Sequence, residues 1–452
     1  MRKIIQYMMM ALIAVVLASC ANDISEESTP TVKSNIRFVV DDFPMFEKPS
    51  TRTIGEEDKG KTAWAVGDEI CVKLESKELG IQTATLKYNG VKFEIQDGNS
   101  LCYLDGEPVT AYAYYAPNRK WLNDGNLGYK DGEHDGTAEF LEATCTVHYG
   151  DDNYVDISFA NATRNYSRLR IATMPNMPIT VDIDRYTPAG SSDMKWDQNY
   201  ALTSDEKGNA YLYGTFDKFA NVTVIYGGVL LATHKFSKRT ENAKSYALDA
   251  TVISANSAEE IKSAIEQKVA DGKTIIRLNL APNAGTDEFM TIREAIKGAA
   301  PNDEGTIELT IIGVETIPEE AFKRMSQLKS VKMPDVKEIK KYAFSECQNL
   351  TVVEAPSLNK LNSGAFNECY LLSKLTFGPI NYADARYWPI FADITPNIDL
   401  ILSDYQKEMI KTDDDLYTAN NDIDYAFSNK HLNKNFLGRE FKSITCRRYR
   451  VE

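Results

Sequence analysis

The chain has 452 residues, with 51 Lys+Arg against 65 Asp+Glu and a formal net charge of −14. At about 100–200 residues per domain this length suggests a few domains, and 43% hydrophobic content is enough to fill their cores. Ordinary Gly and Pro content excludes collagen-like and low-complexity classes, the acidic balance argues against a nucleic-acid partner, and four His leave little material for metal or acid–base chemistry.

The N-terminus sets an expected compartment. Arg2 and Lys3 precede an apolar run from Met8 to Leu17, the length of a secretory signal and too short for a comfortable membrane span. The run ends Leu17-Ala18-Ser19-Cys20, small residues before a cysteine, and resembles a bacterial lipoprotein lipobox. The resemblance implies a signal peptide over 1–19, removed to leave Cys20 carrying a thioether-linked lipid and anchored to a membrane by its acyl chains. The mature chain would then hold 49 basic against 65 acidic residues, a net charge of −16. Residues 20–34 are polar and acidic and read as a flexible tether. Their acidity also resembles the export signal that places lipoproteins on the outer face of some Gram-negative anaerobes, so the expected location is the outer membrane, facing the exterior.

From Asn35 the hydrophobic pattern has a period of two. Ile70, Val72 and Leu74 share one strand face, and Ala84, Leu86 and Tyr88 alternate up to Asn89-Gly90. Val91, Phe93 and Ile95 alternate away from it, so a hairpin with a two-residue turn is expected there. A further strand spans Val109 to Tyr115, and Asn118 to Gly136 reads as loop. Val155, Ile157 and Phe159 open a second group that includes Leu169, Ile171, Tyr211 to Phe216, Val222 to Tyr226 and Ser245 to Val252. Many short strands without a helix-period stretch before Ser257 indicate sandwiches rather than a doubly wound sheet.

Thr51-Arg52-Thr53, Trp64-Ala65-Val66-Gly67-Asp68-Glu69-Ile70, Phe159-x(9)-Leu169-x-Ile171 and Lys244-Ser245-Tyr246-Ala247-Leu248 together resemble the signature of fimbrillin-like (Mfa-like) proteins, over residues 31–253. The resemblance implies two tandem transthyretin-like β-sandwiches, 35–150 and 151–253, of the kind used in pilus subunits and surface lipoproteins. It also makes Arg52 a possible maturation cleavage site, with a surface-loop arginine as the plainer reading.

The C-terminal part repeats every 22 residues. Ala321-Phe322, Ala343-Phe344 and Ala365-Phe366 keep that spacing, as do Leu328, Leu350 and Leu372, and Ile317, Ile339 and Leu361. Cys347 and Cys369 match, with Met325 in their place in the first copy. The unit I-x(3)-A-F-x(2)-C-x(2)-L-x(2)-V resembles the BspA-like bacterial surface leucine-rich repeats over 307–380. The expected repeat core is Phe322, Leu328, Phe344, Cys347, Leu350, Phe366, Cys369 and Leu372, and the two cysteines are expected to be small buried hydrophobes. Residues 254–452 thus read as a short α/β leucine-rich-repeat solenoid with helical caps, in a chain that is mainly β. Ser257 to Glu260 is a capping box opening a helix through Val269 that ends at Asp271-Gly272. Thr291 to Glu294 reads as a second box inside a degenerate repeat, and Ser403 to Gln406 as the start of a C-terminal capping helix.

Catalytic signatures are missing: there is no H-E-x-x-H, G-x-S-x-G, C-x-x-C or phosphate-binding glycine loop. His134, His148, His234 and His431 are scattered. Asp124, Asn126, Asp131, Glu133 and Asp135 crowd one segment without the EF-hand order, so a plain hairpin loop is the first reading and calcium the second. Six cysteines after Cys20 permit disulfides. Arg447 to Arg450 reads as an exposed tail. No enzyme, cofactor or metal is expected. The expected role is adhesion or ligand binding, with the repeats facing a host or bacterial surface protein or glycan and the sandwiches as stalk. The alternative is a minor or tip subunit of a fimbrial pilus, partnered with other pilus subunits through strand exchange.

Overall fold

A computed structural model describes residues 32–33, 36–47, 59–96, 101–104, 106–150, 153–160, 164–255, 257–384, 389–394, 397–403 and 441–447, with the backbone of short strand pairs between 417 and 440. Cys20, Arg52, the Ser403–Gln406 helix start beyond its first residue, and His431 lie outside the described residues.

The first β unit is one curled sheet of β1 (Arg37–Val40), β2 (Glu69–Ser76), β3 (Gly80–Tyr88), β4 (Phe93–Ile95), β5 (Val109–Tyr115), β8 (Leu141–His148) and β9 (Tyr154–Ser158), with β6 (Arg119–Trp121) and β7 (Leu127–Tyr129) as a separate hairpin. The spatial order is β1-β9-β8-β5-β2-β3-β4. β8 makes the curl: Leu141–Ala143 pair with β5 and Thr144–His148 with β9. Ile70, Val72 and Leu74 are buried as the alternation requires, beside Leu86, Ala113 and Ile157. Trp64 is the aromatic hub of this core. Its ring meets Phe43, Phe93, Tyr115 and Phe159 edge-on at 4.8–5.7 Å, and its Nε1 donates to the Asp41 carbonyl. The Gly67-Asp68 that follows it is a turn, with Gly67 left-handed and the Asp68 carboxylate accepting from Ala65 N at 2.6 Å.

Three expectations change here. The Asn89-Gly90 turn is wider than two residues, because Tyr88 pairs with Phe93; Asn89 Oδ1 accepts from Val91 N and Lys92 N, and Val91 is exposed rather than a strand residue. The 118–136 loop contains the β6–β7 hairpin, turned at Asp124-Gly125. And β9, counted with the second sandwich when the boundary is drawn at 150, pairs with β8 and β1 in the first sheet. Period-two alternation identifies a strand but carries no information about which sheet it joins.

The second β unit is a pair of four-stranded sheets enclosing one core. One has the order β12-β14-β10-β17, from β10 (Ser167–Ala172), β12 (Tyr186–Pro188), β14 (Asn209–Phe216) and β17 (Ser245–Asp249). The other has the order β13-β11-β15-β16, from β11 (Pro178–Ile183), β13 (Gln198–Thr203), β15 (Asn221–Tyr226) and β16 (Val229–Lys235). Leu169, Ile171, Val181, Leu212, Phe216 and Val224 fill the space between them. The two units meet over Phe46. Arg164 stacks on its ring at 3.8 Å and donates to Glu139 at 2.9 Å and to the Pro44 carbonyl, and Lys244 pairs with Glu47.

The third unit begins with β18 (Ile253–Ala255), α1 (Ala258–Ala270), β19 (Ile275–Leu280) and α2 (Thr286–Ala299). Ser257 caps α1 by accepting from Glu260 N, Ile261 and Ile265 face the core, and Gly272 follows the last turn with φ +69°. The second box is displaced: α2 starts at Gly285, whose N–H donates to Glu288, and Thr291 lies inside the helix donating to the Asp287 carbonyl. A parallel sheet then continues through β20 (Ile307–Ile312), β22 (Leu328–Lys332), β24 (Val352–Ala355), β26 (Lys374–Phe377), β28 (Asp399–Ser403) and β29 (Ser443–Arg447). A second parallel ladder runs β21 (Thr316–Ile317), β23 (Glu338–Ile339), β25 (Lys360–Leu361) and β27 (Tyr382–Ala383). Because β29 is the last strand of the sheet, Arg447 belongs to a strand and not to a tail.

Candidate functional site

The stacking of turns positions every candidate residue of the repeat part. Val331 pairs with Val353, and Val353 with Leu375, so the 22-residue sequence period is the register of the sheet. Phe322, Phe344, Phe366 and Phe391 form one column of nearly parallel rings, with neighbouring centroids 5.3–5.6 Å apart. Phe289 and Phe441 close the column edge-on at its two ends. Phe391 is a fourth member that the spacing hides, because it stands 25 residues after Phe366 rather than 22. Phe322, Leu328, Phe344, Cys347, Leu350, Phe366, Cys369 and Leu372 are all buried in one core, so they build the face and do not touch a ligand.

The cysteines do more than fill space. Cys347 Sγ donates to the Phe322 carbonyl at 2.9 Å and Cys369 Sγ to the Phe344 carbonyl at 3.0 Å, each tying its turn to the one before. Burial pushes the Cys347 thiol up to about 12, and that of Cys369 well above the usual range, so both stay protonated donors. Cys102 and Cys145 are also free thiols.

Three turns carry two left-handed residues each, and the turn of Phe391 carries one. Glu320, Tyr342 and Gly364 hold one such position, and Arg324, Glu346, Glu368 and Asp393 the other, with φ of 51–63°. The strain is offset by inter-turn backbone bonds: Phe322 N to Ala343 O, Arg324 N to Ser345 O, Phe344 N to Ala365 O and Glu346 N to Asn367 O. Only Gly364 announces this geometry in the sequence.

The outward face of the large sheet is the surface that a partner could reach. Inward Leu309, Val331, Val353, Leu375 and Leu400 alternate with outward residues in two rows. One row is Glu308, Ser330, Val352, Lys374, Asp399 and Ser443; the other runs from Arg277 through Thr310, Lys332, Glu354 and Thr376 to Ile401. The first strands of that face are already occupied. The β15–β16 hairpin of the second unit lies over them: Arg277 donates to the Leu231 carbonyl at 2.8 and 3.1 Å, Lys332 Nζ to the Leu230 carbonyl at 2.8 Å, and Gly227 sits against Pro334. Burial lowers the pKa of both cations, and the strand carbonyls accept their hydrogen bonds. The face from β24 to β28 remains half-exposed at Val352, Glu354, Lys374, Asp399 and Ile401, with Lys374 paired to Glu354 at 3.3 Å.

Elsewhere the structure separates the polar residues that sequence crowding brought together. Asp124 closes its own turn by accepting from Asn126 N, and Asp131 pairs with Lys120. His148 lies against Asp156 and Tyr154, and His234, whose pKa burial lowers, packs on Phe236. Among the described residues no group of three His, Cys, Asp or Glu is gathered as a metal site.

Comparison with known proteins agrees on the repeats. A family model described as the BspA-type leucine-rich-repeat region matches residues 306–387 in six copies. No curated protein matches the chain. Among solved structures, a candidate cell adhesion protein of Bacteroides fragilis NCTC 9343 aligns at 10% identity and a TM-score of 0.24, covering 48% of this chain and 93% of its own. The shaft pilin SpaA of Lactobacillus rhamnosus GG aligns at 12% identity and a TM-score of 0.17, covering 49% and 97%. Scores this low carry no argument about fold or function.

Proposed function

We propose that the protein is a non-enzymatic surface lipoprotein, anchored through Cys20 to the outer membrane and facing outward, that holds a protein or glycan partner on the open half of its repeat sheet. The carrying observation is the division of that sheet: the second unit covers β19 to β22, and the mixed polar face over β24 to β28 stays half-exposed. Flat parallel faces built by stacked repeats suit extended contacts. In this reading the two β units, taken as transthyretin-like sandwiches, do more than lift the repeats: the second grips them and the first is fastened to the second. The test is a double variant, Lys374→Glu with Ile401→Arg, in adherence to immobilised matrix proteins and glycans. Adherence should fall at least tenfold with the melting temperature held; undiminished adherence rejects the repeat face. Palmitate labelling lost in Cys20→Ser tests the anchor.

One observation favours the pilus reading as a second possibility. Residues before Arg52 supply the edge strand β1 and the buried Phe38, Phe43 and Phe46, so cleavage at Arg52 would uncover a groove able to receive a strand from another subunit. Unheated against boiled SDS gels of sheared surface material separate the two. A ladder that collapses on boiling supports polymer; a single band with the N-terminal segment still attached rejects it.

A further inference from the structure

Where the first and second β units meet, beside the Phe46 contact, lies a cleft of about 330 Å³. The first unit contributes Lys61, Tyr115 and the Thr137–Glu139 segment; the second contributes Thr203, Asp205 and the strand Asn209–Tyr213. The volume is at the small end of the roughly 300–1,000 Å³ range of ligand pockets. We propose that this cleft is a binding site for a neutral saccharide of one or two rings, separate from the repeat face.

The argument is from charge and from shape. Each charged group in the lining is already answered by the protein. Lys61 pairs with Asp68 and donates to the Tyr115 hydroxyl at 3.1 Å, Glu139 is held by Arg164 at 2.9 Å, and Asp205 Oδ1 accepts from Lys207 N and Asn209 N at 2.9 Å. A charged ligand reaching the inner end would have to break the Lys61 or Glu139 pair and leave a desolvated ion behind. The Tyr211 hydroxyl donates to Asp205 Oδ2 at 3.5 Å, so what the lining leaves for a ligand is neutral: hydroxyls of Thr203 and Tyr213, and the amide nitrogen of Asn209, whose oxygen accepts from Arg170 at 3.0 Å. The Tyr213 hydroxyl has no hydrogen-bond partner among the described residues.

Shape adds the second half. Tyr211 and Tyr213 alternate with inward residues on β14 and so project from the same sheet face, their rings 6.5 Å apart. Arg168 on the neighbouring strand holds the Tyr211 ring from below at 4.9 Å. Flat aromatic surfaces beside hydroxyl and amide groups match a sugar ring, which has an apolar C–H face and a polar rim. Buried Tyr115 and Glu139 close the inner end, while Thr203 and Asp205 are exposed at the opening. Because both units contribute, a bound sugar would also bridge them.

The test uses the full chain and saturation-transfer NMR with galactose, N-acetylglucosamine, lactose and chitobiose as probes. At least one sugar should give a signal, and Tyr211→Ala should weaken it tenfold or more without changing the melting temperature. Thr203→Arg, which fills the opening from an exposed position, should abolish it. The repeat-face variant Lys374→Glu should leave it unchanged, which separates this site from the proposed adhesive face. Silence from all four sugars, or a signal that survives both cleft substitutions, overturns the proposal.

Discussion

Phe344 shows most plainly what one side chain does in this protein. It lies in the ring column between Phe322 and Phe366, and no solvent reaches it. Phe344→Ala would remove contacts on both sides and leave a cavity that stacked turns cannot collapse, at a cost of about 3–5 kcal/mol. Urea unfolding should show that loss in the transition of the repeat unit, with the β units little changed. Cys369→Ala should cost less, about 1–2 kcal/mol, for one small group and one donated bond. Neither Cys347 nor Cys369 should react with iodoacetamide in the native protein, whereas both should be alkylated once urea unfolds it; mass spectrometry reads the difference. Gly364 carries a different constraint: at φ +63° a Cβ would come within 2.5 Å of the Tyr342 ring. The burial of the eight expected repeat-core residues was legible from the 22-residue spacing alone. The thiol bonds were not, because nothing in a spacing tells which carbonyl a buried donor will face.

At the scale of elements, helix starts show where sequence signals work and where they mislead. Ser257 reads correctly because its own side chain does the capping. Gly285 offers no side chain, so the T-x-x-E string at Thr291 draws attention although it lies mid-helix. The cap of α2 falls instead to Glu288. Its bond from Gly285 N holds that carboxyl below the usual carboxylate range. A folded pKa below the unfolded one contributes stability above the unfolded value and loses it as pH falls through the folded one. Glu288→Ala should therefore be less stable than the parent at neutral pH, and the gap should close at an acid pH where Glu288 is protonated. Urea melts at the two pH values would check this; a gap that stays constant would mean that the carboxylate does not cap. The Asn89-Gly90 turn teaches the same point from the strand side: the dipeptide located the hairpin, while cross-strand pairing set its width.

The molecule as a whole is organised by contacts between units rather than by linkers. Arg277 and Lys332 fasten the repeat sheet to the β15–β16 hairpin, and Phe46 with Arg164 and Glu139 joins the two β units. Arg277→Ala would leave the Leu231 carbonyl without its buried donors, a loss of about 1–3 kcal/mol at that interface. X-ray scattering should then report a larger radius of gyration, and protease should cut sooner near residues 250–257. An unchanged scattering curve and cleavage rate would show that the units are held by other contacts. The docking also bears on the adhesive reading, since a partner must bind the part of the sheet that the second unit leaves open.

Local pattern was enough for the classes of structure present. Alternation marked the strands, the 22-residue period marked the stacked turns, and Ser257 marked the first helix, because each of these depends on neighbours within a turn or a strand. The assignment of Tyr154–Ser158 to the first sheet, the fourth ring of the column, the covering of half the repeat face and the cleft between the β units came only with the tertiary structure. They depend on which surfaces meet across long stretches of chain, and a period of two or of 22 is the same whichever surface it is turned towards.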